Sequence, residues 1–155
     1  MNYQIRPVER GDTYHIYALM NREDVCMWTS LSAPVTWDRH EVWFDRYVDS
    51  KLGVMFVLEY DGKVVGEVHC DPCETNGIRG ASIHVALQPE ARSKGIARWM
   101  LKRTMPIAHE LQNVTCLLAT IRPENKKSIR CFSSLGFRYH SAQGELNCYV
   151  WGEKT

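Results

Sequence analysis

The stretch LQPEARSKGIARWML, residues 87–101, leads from the end of an apolar run into a helical pattern through a turn with one glycine and two basic residues. A helix that begins after such a turn presents unpaired backbone N–H groups and a partial positive charge, which together bind phosphate groups. Gly95 lets the backbone come close to an anion, and Arg92 and Lys94 add positive charge. The glycine motifs of dinucleotide-binding folds and of P-loops are both missing from this turn, so the sequence excludes those folds. The residues leave two interpretations open: a pyrophosphate site, or a plain strand-to-helix connection with solvated basic side chains.

A second motif follows in residues 125–137, NKKSIRCFSSLGF, where Asn125 is suited to begin a helix and Gly136 to end it. Residues 92–97 resemble the Arg/Gln-x-x-Gly-x-Gly/Ala signature of the GNAT family of N-acetyltransferases. Residues 125–137 are similar to that family's later Asn-x-x-Ala/Ser-Ile-x-x-Tyr/Phe-x-x-Leu-Gly-Phe segment. The two motifs have the separation seen in the family, and the resemblance covers essentially the whole chain. It implies an acetyltransferase that uses acetyl-CoA as its acyl donor.

The resemblance also implies which residues hold the cofactor. The backbone amides of residues 92–97 would hold the pyrophosphate, and Val85 and Leu87 would run beside the pantetheine arm. Phe132 stands where the family often places a tyrosine that protonates the departing thiolate, so here the ring would only pack beside the thioester. The proton would then come from water or from a neighbour such as Ser128, Cys131 or Tyr139. The full set of predicted cofactor-binding residues is Val85, Leu87, Arg92, Ser93, Lys94, Gly95, Ile96, Ala97, Asn125, Ser128 and Phe132.

Hydrophobic periodicity and turn residues predict the order of the strands and helices. Strands are predicted over residues 3–8, 54–60, 64–70, 79–87, 114–121, 137–140 and 146–151, and helices over 13–20, 36–50, 95–111 and between Asn125 and Gly136. Asp61-Gly62 joins the second and third strands as a hairpin, and Pro106 should kink or divide the third helix. We predict an α/β (α+β) fold of the GNAT type, with a mixed, mostly antiparallel sheet of about seven strands flanked by about four helices. It would form a single domain over residues 1–155.

The overall composition excludes several classes of protein. The 155 residues carry 19 Lys plus Arg and 18 Asp plus Glu, a formal net charge of +1, so no global field would collect nucleic acid or anionic lipid. The N-terminal residues become charged too early for a signal peptide, and the longest apolar runs are only strand-sized. Without an export signal the six cysteines should be reduced thiols, and we expect a cytoplasmic protein.

Candidates for proton transfer lie in the predicted central strands. Amide formation needs a neutral amine, whereas alkylammonium groups titrate near ~10, so a base or a water relay is expected. The family often has Glu or His at the positions of Ala81 or Ile83, and neither residue can accept a proton. His84 is adjacent, but strand alternation points it to the opposite face unless a bulge shifts the register. The candidate catalytic residues are His84, the pair Glu67 and His69 on one face of a strand, and Tyr139.

No metal site is predicted. Cys70 and Cys73 form a lone Cys-x-x-Cys, and with His69 and His84 they invite a zinc interpretation. A structural zinc site needs four ligands at recognisable spacing, and no second cysteine pair follows.

A weaker resemblance concerns the acceptor. Residues 28–30, 40–44, 65–69 and 81–83 look like the GNAT branch that acetylates amino sugars linked to nucleotides, although that branch usually has Arg at His69 and Glu at Ala81. We expect a small-molecule primary amine as acceptor, with an amino sugar nucleotide as one candidate. Trp28, in an aperiodic segment over residues 21–35, is a candidate wall of the acceptor pocket. The alternatives are a protein N-terminal or ribosomal-protein acetyltransferase, or a non-catalytic CoA-binding sensor, as a monomer or a homodimer.

Overall fold

The computed structural model describes residues 2–29 and 33–152. Its strands are β1 (Tyr3–Pro7), β2 (Val54–Tyr60), β3 (Lys63–Thr75), β4 (Ile78–Leu87), β5 (Cys116–Ile121), β6 (Arg138–Gln143) and β7 (Leu146–Gly152). Its helices are α1 (Thr13–Met20), α2 (Glu23–Cys26), α3 (Trp37–Val48), α4 (Ile96–Leu111) and α5 (Lys126–Ser134). The strands form one sheet in the order β1-β2-β3-β4-β5-β7-β6, which confirms the predicted mixed sheet of seven strands. The short helix α2 is one more helix than the sequence predicted, and it lies in the aperiodic segment, of which Ser30, Leu31 and Ser32 are outside the described residues.

The sheet opens between β4 and β5. These strands are parallel and pair at two positions alone, Ala81 with Leu117 and Ser82 with Leu118. The other neighbouring strands in the described chain are antiparallel. Beyond the paired positions β4 continues to Leu87 and β5 to Ile121 without pairing to each other. The C-terminal ends of the two strands therefore splay apart and leave room for a ligand between them.

Alternation along the central strands directs side chains to two different helical layers. On one face, Leu58 of β2 and Val68 of β3 pack in a core that includes Met100 of α4. On the opposite face, Val57 of β2 packs with Phe44 of α3 in a smaller core. Each central strand is therefore covered on both sides, and a polar residue on either face has to find a partner within the protein.

Both predicted ends of helix α5 are confirmed. The side chain of Asn125 accepts a hydrogen bond from the backbone N–H of Ser128 at 3.3 Å. Gly136 follows the helix with a φ of 99°, a left-handed conformation that favours glycine. The predicted Asp61-Gly62 hairpin is confirmed as well, because Tyr60 pairs with Lys63 across it. These ends were predictable because each depends on neighbouring residues alone.

The prediction that the third strand ends at residue 70 was wrong. Strand β3 continues through Asp71-Pro72 to Thr75 and returns through Asn76-Gly77 into β4. Strand β2 pairs with β3 only as far as Cys70, so the extension of β3 has a neighbour on one side. Proline, which lacks an N–H donor, is tolerated at such an edge position.

Pro106 was predicted to kink or divide its helix, and division does not occur, because α4 is continuous over Ile96–Leu111 with Pro106 inside it. Proline removes the donor that would bond to the carbonyl of Lys102. Both residues are exposed, so that carbonyl lies on the solvent side of the helix. Within residues 2–29 and 33–152, no helix has the length and apolar character needed to cross a membrane.

Gly80 makes the close approach of β4 to β5 possible, and its replacement should destabilise the fold. A Cβ atom at Gly80 would lie 2.5 Å from the backbone oxygen of Cys116. We expect Gly80→Ala to lower the free energy of unfolding by about 1–3 kcal/mol, measured by urea denaturation. Gly11→Ala is the control, since a Cβ there meets nothing within 4 Å, and its effect should stay within about 0.5 kcal/mol. Equal stability of the two variants would contradict this account of the strand contact.

Candidate active site

Two adjoining cavities occupy the opening between β4 and β5. The inner cavity, of about 410 Å³, reaches Glu67, His69 and His84. The outer cavity, of about 910 Å³, lies beside the turn that precedes α4. The residues that line both are Val25, Trp28, Val85, Ala86, Asn125, Ser128 and Phe132. Because the two cavities share these lining residues, a ligand in the outer cavity lies next to a second ligand in the inner cavity.

The turn before α4 has the backbone geometry of an anion-binding loop. Ser93 and Gly95 both have left-handed backbone conformations, with φ of 61° and 75°, and α4 begins directly after them. Successive N–H groups in such a turn form a concave donor surface at the positive end of the helix. The basic residues that line the outer cavity are Arg92, Arg98, Lys126, Lys127 and Arg130. The turn and this basic lining fit a ligand that carries a pyrophosphate and one more phosphate group.

Arg92 has a structural partner at this turn. Its Nε donates to the backbone oxygen of Leu87 at 2.9 Å, and its Nη1 donates to the Asp24 carboxylate at 2.9 Å. The bonds from Arg92 and then Arg22 hold the pKa of Asp24 well below its usual range. Arg92 thus ties α2 to the turn. The sequence predicted that the side-chain charge of Arg92 would face the phosphate groups, but that charge is paired with Asp24. The backbone of Arg92 still lies in the turn before α4.

The other predicted cofactor residues fall into two groups. Those that line the outer cavity are Val85, Leu87, Ser93, Gly95, Ile96, Ala97, Asn125, Ser128 and Phe132. Lys94 is exposed at the turn and is not among the described residues that line either cavity. Phe132 is 3% exposed and packs edge-on against Phe137, with ring centroids 5.0 Å apart. Its ring has no proton to give.

Glu67 and His69 form a buried pair on the wall of the inner cavity. The Nδ1 atom of His69 lies 2.8 Å from Oε2 of Glu67, and the two residues are 6% and 0% exposed. Burial alone would lower the pKa of His69, but the charge and hydrogen bond of Glu67 outweigh burial and raise it. The carboxylate thus fixes the orientation of the imidazole and strengthens its basicity.

His84 lies against His69 on the neighbouring strand. The two residues are directly opposite in the β3–β4 register, and their rings stack with centroids 4.6 Å apart. As predicted, His84 lies on the face opposite Ala81 and Ile83, which belong to the core under α4. Burial, and then the neighbouring His69, lower the pKa of His84 to about 3. His84 is therefore neutral over the whole pH range in which His69 titrates.

The sequence did not predict the role of α3 in the site. Periodicity assigns Trp43 to the core, and its ring does pack edge-on against His69, with centroids 5.2 Å apart. The same ring also lines the inner cavity, as does Arg39 one turn earlier. Helical spacing shows that these residues share a face, but it does not show that the face meets His69.

The structure also locates Tyr139 and the Cys70–Cys73 motif. Tyr139 lies on the outer strand β6, is 57% exposed and packs against Tyr149, so it lies outside the site as far as the described linings extend. Among the described residues no group of three or more His, Cys, Asp or Glu side chains could hold a metal ion. Cys70 lies in the core under α4, on the other face from His69.

Comparisons with known proteins place the chain in a family. The family model described as Acetyltransferase (GNAT) domain matches residues 3–138. The chain belongs to this family, and it is an N-acetyltransferase that takes its acetyl group from acetyl-CoA.

Individual relatives agree with this family. The chain is 28% identical over 144 residues to the spermidine N(1)-acetyltransferase of Escherichia coli K12, covering 92% of this chain and 75% of that protein. It superposes on an N-acetyltransferase from Staphylococcus aureus Mu50 with a TM-score of 0.80 at 22% identity, covering 98% and 99% of the two chains. It superposes on the spermidine N-acetyltransferase of Vibrio cholerae, solved in complex with CoA and spermine, with a TM-score of 0.78 at 19% identity, covering 99% and 95%. The two superpositions show the shared fold.

The contribution of the turn to CoA binding can be isolated with a pair of glycine variants. Gly95→Asp should weaken CoA binding by at least about ten-fold, or roughly 1.4 kcal/mol, because it adds negative charge to the turn that is expected to hold the pyrophosphate. Titration calorimetry measures the change. Gly62→Asp is the matched control, because Gly62 has a similar φ of 80° and an equally open surrounding, but lies at a distant hairpin. The same loss of affinity in both variants would contradict the role of the turn.

Proposed function

We propose that the chain transfers acetyl directly from acetyl-CoA to the primary amine of a small molecule, with His69 as general base and Glu67 as the residue that positions it. The observation that carries this proposal is the 2.8 Å Glu67–His69 pair at the wall of a cavity that adjoins the phosphate-binding turn. A buried carboxylate bonded to one nitrogen of an imidazole leaves the other nitrogen to take up a proton. Both Glu67 and His69 were candidate catalytic residues in the sequence analysis.

A base is needed because the acceptor reaches the site as an ammonium ion with a pKa near ~10, and only its neutral form attacks. The Nδ1 atom of His69 is engaged by Glu67, so Nε2 is the atom that takes the proton. The charge that then forms on the imidazole is balanced by the adjacent carboxylate. His84 stays neutral beside it, because a second positive charge at 4.6 Å between stacked rings is unfavourable. We assign His84 the role of orienting the amine through its ring nitrogens.

Acetyl-CoA would supply the activated acyl group when bound. The backbone N–H groups of residues 93–97 would hold its pyrophosphate, and the lining side chains Lys126, Lys127 and Arg130 would balance its phosphate charge. Val85 and Phe132, which line both cavities, would flank the thioester. Because Phe132 cannot donate a proton, the second proton that the amine nitrogen loses as the amide forms would reach the leaving thiolate through water, with Ser128 on the same shared wall as a relay.

Two relatives support a small-molecule amine as the acceptor: one is a spermidine N(1)-acetyltransferase, and the other was solved in complex with CoA and spermine. The comparisons give no support to the amino sugar nucleotide considered from the sequence. The size of the inner cavity, about 410 Å³, is in the range of pockets for small ligands.

The proposal is tested by following CoA release with a panel of primary amines. His69→Gln should lower kcat by about 10²–10⁴-fold, the usual contribution of a general base, with little change in CoA affinity. His15→Gln is the matched control, because His15 is exposed on α1 and outside the described linings of both cavities. Absence of CoA release with every amine would overturn the proposal and favour the non-catalytic CoA-binding sensor.

The role of Glu67 predicts a specific change in the pH profile. His69 acts as a base only when neutral, and Glu67 raises its pKa, so kcat/KM should rise with pH through a midpoint above the ordinary value of about 6.5. In Glu67→Gln the negative charge of Glu67 is lost while burial and the charge of Asp71 remain, so the midpoint should move to lower pH. A midpoint that does not move would mean that Glu67 has a structural role alone.

A further inference from the structure

We propose that the acceptor carries a single positive charge on an apolar aromatic or aliphatic body, and that polyamines are poor substrates although relatives are named for them. This inference rests on the proposed function, since it assigns a substrate class to the inner cavity. It starts from the charges that line the cavity. Among the described lining residues, Glu67 is the one carboxylate and Arg39 the one lysine or arginine.

The cavity provides for one ammonium group. Oε2 of Glu67 is bonded to His69, and Oε1 is buried with no hydrogen-bond partner among the described residues. This carboxylate can therefore balance one positive charge close to the base. The outer cavity has two described acids: Asp24, which is paired with Arg92 and Arg22, and Glu124, which shares that lining with five basic residues.

A second ammonium group in the inner cavity would have no counter-charge among the described residues that line it. Moving an unpaired ammonium out of water is strongly unfavourable, so a polycation needs a carboxylate for each buried charge. The guanidinium of Arg39 would instead repel the distal ammonium groups of a polyamine. Ser30, Leu31 and Ser32 lie outside the described residues, but none of the three has an ionisable side chain, so they supply no missing carboxylate.

The rest of the lining suits an apolar body. Its large side chains include Trp28 and Trp43 from the helical layer, Ile83 and Ile121 from the splayed strands, and Phe132 from α5. Contact with these surfaces releases water from apolar area and stabilises a ligand in proportion to the area covered. A phenethylamine or hexylamine molecule offers such area together with one ammonium group, whereas spermidine offers charges at both ends.

The test compares phenethylamine, hexylamine and spermidine with the full chain in two measurements. Equilibrium binding to the CoA-loaded protein is followed by calorimetry, and acetyl transfer from acetyl-CoA by CoA release. We expect phenethylamine and hexylamine to bind, and to react with a kcat/KM at least about ten-fold above that of spermidine. Arg39→Glu should raise kcat/KM for spermidine by about ten-fold, as expected for replacing a repulsive charge by an attractive one near the ligand. Arg138→Glu, the same change at an exposed position on β6, should leave kcat/KM for spermidine unchanged.

The outcomes separate this inference from the proposed function. If the monoamines bind to the CoA-loaded protein but no amine is acetylated, the proposed function fails and the specificity stands. If spermidine is acetylated with a higher kcat/KM than both monoamines, the proposed function stands and this inference is overturned. Failure of both monoamines to bind would overturn it as well.

Discussion

The two-residue contact between β4 and β5 is the constraint on which the rest of the molecule depends. The strands come so close at Gly80 that a Cβ atom would meet the backbone of β5, and they separate again just after Ser82. If they remained paired, the sheet would be continuous and would have no interior opening. Because they separate, one cavity forms beside the basic turn and another beside Glu67 and His69, and the two share a wall. The fold thus brings the turn before α4 close to the buried pair Glu67 and His69.

The alternation of β3 determines what this opening contains. Val68 and Cys70 lie in the core under α4, and Glu67 and His69 lie on the other face. A shift of one residue would reverse the two sets, burying charge in the larger core. A buried carboxylate bonded to an imidazole is costly to desolvate and is weak evidence for stability, so its presence at a cavity wall supports the proposed chemical role. The same reasoning extends to the acceptor, because a cavity with one carboxylate and one arginine favours a ligand with a single charge.

Much of the fold could be predicted because its signals are local. The Asn125 cap, the Gly136 terminator and the basic turn are each specified by a few neighbouring residues, and the two motifs that carry the resemblance to the GNAT family contain all three. Strand alternation also predicts that Glu67 and His69 lie on one face of a strand. The stacking of His84 on His69 needed the β3–β4 register, and the contact of Trp43 with His69 needed the position of α3 on the sheet. The bond from Arg92 to Asp24 joins residues far apart in the chain, so no local pattern indicates it. The exposure of Tyr139 likewise depends on the position of β6 at the edge of the sheet.

The ionisation of His69 is the central claim, and nitrogen NMR of the imidazole tests it most directly in the CoA-free protein. The account predicts a protonated Nδ1 hydrogen-bonded to Glu67, and a titration midpoint above the ordinary histidine value of about 6.5. It also predicts that His84 stays neutral throughout the titration of His69, because burial and His69 hold its pKa far lower. A His69 that titrates at or below about 6.5, or that carries its neutral-state proton on Nε2, would contradict the account.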